Sequence, residues 1–194
     1  STGVIGQLLP MDKIRKVLPE GLRNLSPEGG RAAARAIMTT DTFPKEVAIR
    51  GRVGGRTVTV GGMAKGSGMI APDMATMLGF LATDMRVGKS FLRKTLREAV
   101  GESFNRITVD GDTSTNDMVL CLANGAAENA LNPGALQSFA AMLRYVTTRL
   151  AKMIVMDGEG STKLIEIRIS GAKSERDAEQ AGRAIADSNL VKTA

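Results

Sequence analysis

The sequence predicts an α/β protein in which mixed sheet structure is packed by helices, and three observations carry that reading. Segments with the two-residue alternation of strands are interleaved with segments whose apolar residues recur at helical spacing. Two strand-like segments meet at Gly54-Gly55, a pair suited to a tight hairpin, which brings antiparallel neighbours into the sheet. The order of helices and strands is otherwise irregular, which argues against a purely parallel doubly wound sheet.

Taken in order, residues 9–18 place Met11, Ile14, Val17 and Leu18 on one helical face. Ser26 and Pro27 read as the cap and first turn of a second helix that continues through 32–37. Lys45–Val53 and residues 56–60 form the hairpin strands, and 76–84 reads as a further strand after a glycine-rich stretch. Leu92, Leu96, Val100 and Phe104 recur at helical spacing through 90–104, and short strands at 107–110 and Met118–Ala123 flank a polar loop. A long helix over 133–153 sets Leu136, Phe139, Leu143, Leu150 and Met153 on one side. Residues 163–170 alternate Ile165, Ile167 and Ile169 with Glu166 and Arg168, the pattern of a half-buried strand. A last helix begins at Ser174, with Asp177 completing the capping motif. No repeat or linker interrupts the chain, so 1–194 is read as a single region whose softest internal boundary is 124–134.

At 194 residues and 43% hydrophobic, the chain is long enough to bury a core. No apolar run reaches the length of a membrane span, and the first residues have no signal-peptide pattern, so a cytoplasmic location is expected. The net charge of +6 is spread along the sequence, and aromatic residues make up only 3%, too few to supply stacking platforms for nucleic acid. Anionic small molecules fit that surface better. Histidine is absent, which excludes histidine-based triads and histidine-ligated metals. The single cysteine, Cys121, lies in an apolar strand and reads as a small core hydrophobe.

Several motifs fail on context. Gly66, Gly68 and Ala71 match a dinucleotide fingerprint formally, but Pro72 and a strand follow where a helix should open. Lys65 precedes its glycines, so the segment is not a phosphate-binding Walker loop. Asp110 and Asp112 after an apolar strand resemble the paired carboxylates of aspartate-nucleophile phosphatases, yet the same residues serve equally as a tight turn. In isolation Lys65 reads as a loop charge and Thr76 as a strand residue. A threonine exposed as a new N-terminus is different, because its own α-amino group is a general base beside its hydroxyl. Small Ala75, preceded by glycines and followed by the β-favouring Thr76-Met77-Leu78, suits a strained turn at which the Thr76 hydroxyl attacks the Ala75 carbonyl.

The segment 57–78, TVTVGGMAKGSGMIAPDMATML, resembles the self-processing site of the ornithine acetyltransferase family, the bifunctional glutamate N-acetyltransferases of arginine biosynthesis. Further matches fall at 1–6 (STGVIG), 36–42 (AIMTTDT), 112–117 (DTSTND), 157–163 (DGEGSTK) and 190–194 (LVKTA). The resemblance implies that family's layered sandwich fold and autoproteolysis between Ala75 and Thr76. Thr76 becomes the nucleophile that carries the acetyl group from N-acetylornithine to glutamate. It also implies an oxyanion hole at Thr2 and Gly3, and substrate contacts from Lys65, Glu159 and one of Thr39 and Thr40, with Thr39 favoured. A lysine suits a substrate carboxylate and a glutamate an amine. Thr39 and Thr40 could equally end a helix, and 157–160 could equally be a turn. The resemblance calls for no metal or organic cofactor, for small-molecule partners only, and for a homo-oligomer or a heterotetramer of cleaved chains. It covers a central portion of the family's sequence. A non-catalytic, uncleaved fragment is therefore the alternative, with the 75–76 bond expected to stay largely intact in this chain and transferase activity weak or lacking; an aspartate-nucleophile phosphatase is a distant third.

Overall fold

The computed structural model describes residues 6–68, 70, 77–111 and 116–193. Four strands form one mixed sheet: β1 (Lys45–Val53), β2 (Arg56–Lys65), β3 (Leu78–Thr83) and β4 (Met118–Ala123), neighbours in that order. The first three are antiparallel, and β3 pairs with β4 in parallel. A parallel pair needs a crossover, and α3 (Lys89–Gly101) lies within it. The hairpin turns at Gly54 and Gly55, with φ of 54° and 79°, the left-handed values that a two-residue turn of this twist requires. A Cβ on Gly54 would also stand 2.1 Å from the Ala130 carbonyl oxygen, so packing as well as turn geometry selects glycine there.

Alternation decides which face is covered. Val47, Ile49 and Val53 of β1 point the same way as Val58, Val60 and Ala64 of β2 and Leu81 of β3, and this face carries the core. Across it lies α4 (Pro133–Met156), started by the Asn132 side chain accepting from the Ala135 amide at 2.8 Å, with proline at the first turn. Phe139, Leu143, Val146, Leu150 and Ile154 of α4 are completely buried, each worth about 1.5–3 kcal/mol of apolar transfer. The helix can lie this close because Gly62 has no side chain: a Cβ would meet Leu81 Cδ2 at 2.4 Å and Leu150 Cδ1 at 3.3 Å. The buried seam ends on Ile154, four residues beyond Leu150, and leaves the expected Met153 at its margin. Cys121 packs against the core, and burial pushes its thiol up to about 11, as suits a hydrophobe with no reactive duty.

Helices α1 (Met11–Arg23) and α2 (Gly30–Ala36) precede the sheet, while α5 (Glu175–Ala186) and α6 (Asn189–Thr193) end the chain. Ser26 accepts from the Glu28 amide at 3.1 Å within a turn, so α2 opens later than its proline suggested. Ser174 caps α5 by accepting from the Asp177 amide. Two expected strands do not form. Residues 107–110 run alongside the Ile70 backbone without entering the sheet, and 163–170 form no ladder with any described residue. Period-two alternation supplies a face, but a strand also needs a neighbour for its peptide groups. The latter segment is held by side chains, with Glu166 bridging Lys152 and Arg168. No helix among the described residues is long and apolar enough to cross a membrane.

Candidate active site

Three chain segments meet beyond the end of the β2 strand: the turn 39–42 that feeds β1, the loop 66–68 that leaves β2, and the turn 157–159 that follows α4. Lys45, completely buried, joins them, its Nζ donating to Asp41 Oδ1 at 2.7 Å and Asp157 Oδ2 at 2.5 Å. Asp41 also accepts from the Gly66 amide at 2.7 Å and the Thr39 amide at 3.1 Å. Asp157 accepts from the Thr42 amide and from its hydroxyl. Burial draws the Asp41 carboxyl upward, but the Gly66 amide, Lys45 and the Thr39 amide outweigh it and leave it below the ordinary carboxylate value. The Asp157 carboxyl stands lower than usual by the same balance, with Lys45 and Thr42 opposing burial.

Around this clasp lie the described residues that the sequence picks out. Thr40 Oγ1 and Ser67 Oγ share a hydrogen bond of 2.6 Å, and the Glu159 amide donates to the Ser67 carbonyl at 2.9 Å. The Glu159 carboxylate lies over Gly68, where a Cβ would come within 2.7 Å of it. Thr39, Thr40 and Glu159 are exposed. Lys65 is the last residue of β2 and only 3% exposed, so it belongs to the strand rather than to a loop. Burial lowers its amine, with Lys45 adding to that effect and Asp41 and Asp117 opposing it. The arrangement leaves the Glu159 carboxylate and the Thr39 and Thr40 side chains exposed and keeps the Lys65 ammonium buried. Thr2, Gly3, Ala75, Thr76 and Asp112 lie outside the described residues.

Sequence reasoning missed the buried Asp41, Lys45 and Asp157 and the half-buried Asp117. Asp41, Asp117 and Asp157 sit inside motifs quoted for the resemblance, which was the signal available for them. Lys45 opens an alternating strand and gave none. Asp117 immediately precedes β4, and its Oδ1 accepts from the Met77 amide at 2.6 Å. Burial is the main cause that pushes this carboxyl up to about 6, against the Met77 amide and Lys65. A carboxyl raised by folding holds its proton more tightly in the native state than in the unfolded chain. Its contribution to stability is therefore full below the ordinary value of 3.8 and is lost as pH rises through about 6. Asp117→Asn keeps an oxygen for the Met77 amide and cannot ionise. At pH 8 it is expected to raise the melting temperature by about 3 °C or more, a gain that shrinks toward pH 4 in a thermal-shift series.

The chain matches the ArgJ family over residues 1–194. It belongs to that family, the ornithine acetyltransferases to which its motifs point. It is similar to the arginine biosynthesis bifunctional protein ArgJ of Symbiobacterium thermophilum, with 59% identity over all of this chain and 49% of that protein. The protein of the same name from Listeria monocytogenes is 50% identical, again over all of this chain and 49% of the relative. The chain thus spans about half the length of the curated relatives it matches. Among solved structures it is similar to the ArgJ protein of Bacillus halodurans, with a TM-score of 0.58 and 46% identity over 60% of this chain and 56% of that one.

Proposed function

We propose that the chain supplies the catalytic core of an acetyltransferase that moves acetyl from N-acetylornithine to glutamate through an acyl-threonine at Thr76, formed after autoproteolysis between Ala75 and Thr76. The observation that supports this reading is the approach of Thr40 and Glu159 to Ser67 and Gly68, just after Lys65 at the end of β2, in a member of the ArgJ family. In it, the Thr76 hydroxyl first attacks the Ala75 carbonyl, the carbon–nitrogen bond breaks to leave an ester and a free α-amine, and hydrolysis of that ester returns the Thr76 hydroxyl and releases the Ala75 carboxylate. That amine then takes the hydroxyl proton as Thr76 attacks the acetyl carbon, and Thr2 and Gly3 donate to the oxyanion. Ornithine leaves with the proton, and the amine of glutamate attacks the acyl-threonine in the second half-reaction. Lys65 holds the substrate carboxylate, Glu159 an ammonium group, and Thr39 a polar group of the same molecule. The whole of 1–194 acts as one region in this scheme, and the cleaved pieces stay assembled, as a homo-oligomer or heterotetramer in the cytoplasm.

Isotope-labelled N-acetylornithine supplied to the full-length enzyme without glutamate tests the scheme. The expected result is one labelled acetyl group on the piece that begins at Thr76, seen by intact mass under denaturing conditions and discharged when glutamate is added. Label on another residue, or none on a chain that still transfers acetyl, would sink the acyl-threonine.

A further inference from the structure

The Glu159 carboxyl lies flat on the loop that leaves β2. A Cβ on Gly68 would stand 2.7 Å from its Oε1, 2.8 Å from its Cδ and 3.0 Å from its Oε2, closer than packed atoms approach. The carboxyl therefore occupies the space in which any other residue at 68 would carry its side chain. The two segments are tied together beside this contact. The Glu159 amide donates to the Ser67 carbonyl at 2.9 Å, and the Gly66 amide is held by Asp41, which Lys45 links to Asp157. Gly158 is buried between them, where a Cβ would meet Val109 Cγ1 at 3.0 Å and the Val155 carbonyl oxygen at 3.1 Å. The backbone thus fixes where the Glu159 side chain starts, and Gly68 leaves room for where it ends. None of the ion pairs among the described residues includes that carboxylate.

We propose that Gly68 is a specificity-determining residue for the acetyl donor, its missing side chain seating the Glu159 carboxylate where it takes the δ-ammonium of N-acetylornithine. The inference rests on Glu159 being a substrate contact. The chemistry of the two substrates says which ammonium is meant. In N-acetylornithine the α-nitrogen is an amide, so the δ-amine is its only cationic group. Glutamate must present its α-amine uncharged in order to attack the acyl group. A carboxylate held ready for a cation therefore serves the donor, through a charge-assisted hydrogen bond. The carboxyl is the far end of a flexible side chain, so a methyl group at 68 would turn it aside by rotation and leave the backbone in place. The loss would fall on recognition and not on folding. This sets Gly68 apart from Gly54 and Gly62, where a Cβ would strike the Ala130 carbonyl oxygen or the packed Leu81.

The test uses the full-length enzyme and two donors, N-acetylornithine and N-acetylnorvaline, the second being the same molecule without the δ-amine. Gly68→Ala is expected to raise KM for N-acetylornithine about tenfold with kcat within about twofold. Its kcat/KM for N-acetylnorvaline should stay within about twofold, so the preference between donors falls about tenfold. Glu159→Gln should reduce that preference at least as much. Because both changes remove the same contact, the double variant Gly68→Ala/Glu159→Gln should be no worse than the worse single one, whereas independent effects would multiply. An equal fall for both donors, an unchanged preference in Gly68→Ala, or losses that multiply would overturn the role of Gly68. So would a Gly68→Ala chain that intact mass shows to be uncut, since a methyl that only turns a carboxylate aside spares processing. If Glu159→Gln keeps the preference, the reading of Glu159 as the ammonium contact fails instead.

Discussion

Lys45→Met is expected to cost about 3–5 kcal/mol of folding free energy, the range observed when one partner of a buried ion pair is removed. The methionine fills most of the space that the lysine occupies, so the loss is electrostatic. Asp41 and Asp157, with side chains 0% and 2% exposed, would face each other with no cation between them. Because the three residues clasp the turn 39–42, the end of β2 and the end of α4, the damage would not stay local. Urea denaturation of the variant should show a lower midpoint, and Asp41→Asn or Asp157→Asn added to Lys45→Met should recover part of it. A loss of folding free energy below about 1 kcal/mol would mean that the clasp is not what holds these segments. The parent has a matching acid response. Both carboxyls stand below their ordinary value, so the stability they contribute is present above about pH 4 and is lost as pH falls through their depressed values.

In the full-length enzyme Thr76→Ala is expected to abolish processing and acetyl transfer together, lowering kcat at least about 1,000-fold, because one hydroxyl attacks both the Ala75 carbonyl and the acetyl donor. Thr76→Ser should retain part of both activities, since it keeps the hydroxyl and, once cut, the amine. Mass measurement under denaturing conditions reports the cut, and acetylglutamate formation reports the transfer. If Thr76→Ala is still cut, or still transfers, the nucleophile lies elsewhere.

The parts of the fold that depend on local signals were legible in the sequence. β1 and β4 fall where alternation put them, and Gly54-Gly55 announced its hairpin because few residues adopt two left-handed conformations in succession. The long helix was readable from its apolar spacing, although not the last turn of its seam. What failed was pairing. Ile165, Ile167 and Ile169 alternate as well as any strand in the sheet, but alternation says nothing of whether a neighbour's peptide groups are present. Lys65 and Glu159 were singled out because they sit in distinctive motifs. Lys45 was invisible because a lysine that opens a strand is ordinarily solvated, and only the fold brings two aspartates to it from positions 41 and 157.

The β2–β3 ladder has a further consequence. Its six residue pairs, from Val60 with Thr83 to Lys65 with Leu78, join segments on opposite sides of the 75–76 bond. The same sheet that makes one domain of an uncut chain therefore makes an interface of a cut one, with β1 and β2 on one polypeptide and β3 and β4 on the other. Hydrolysis of a single peptide bond would change the molecularity of folding while leaving every core contact in place. Unfolding would release two chains instead of one, and stability would become a function of protein concentration.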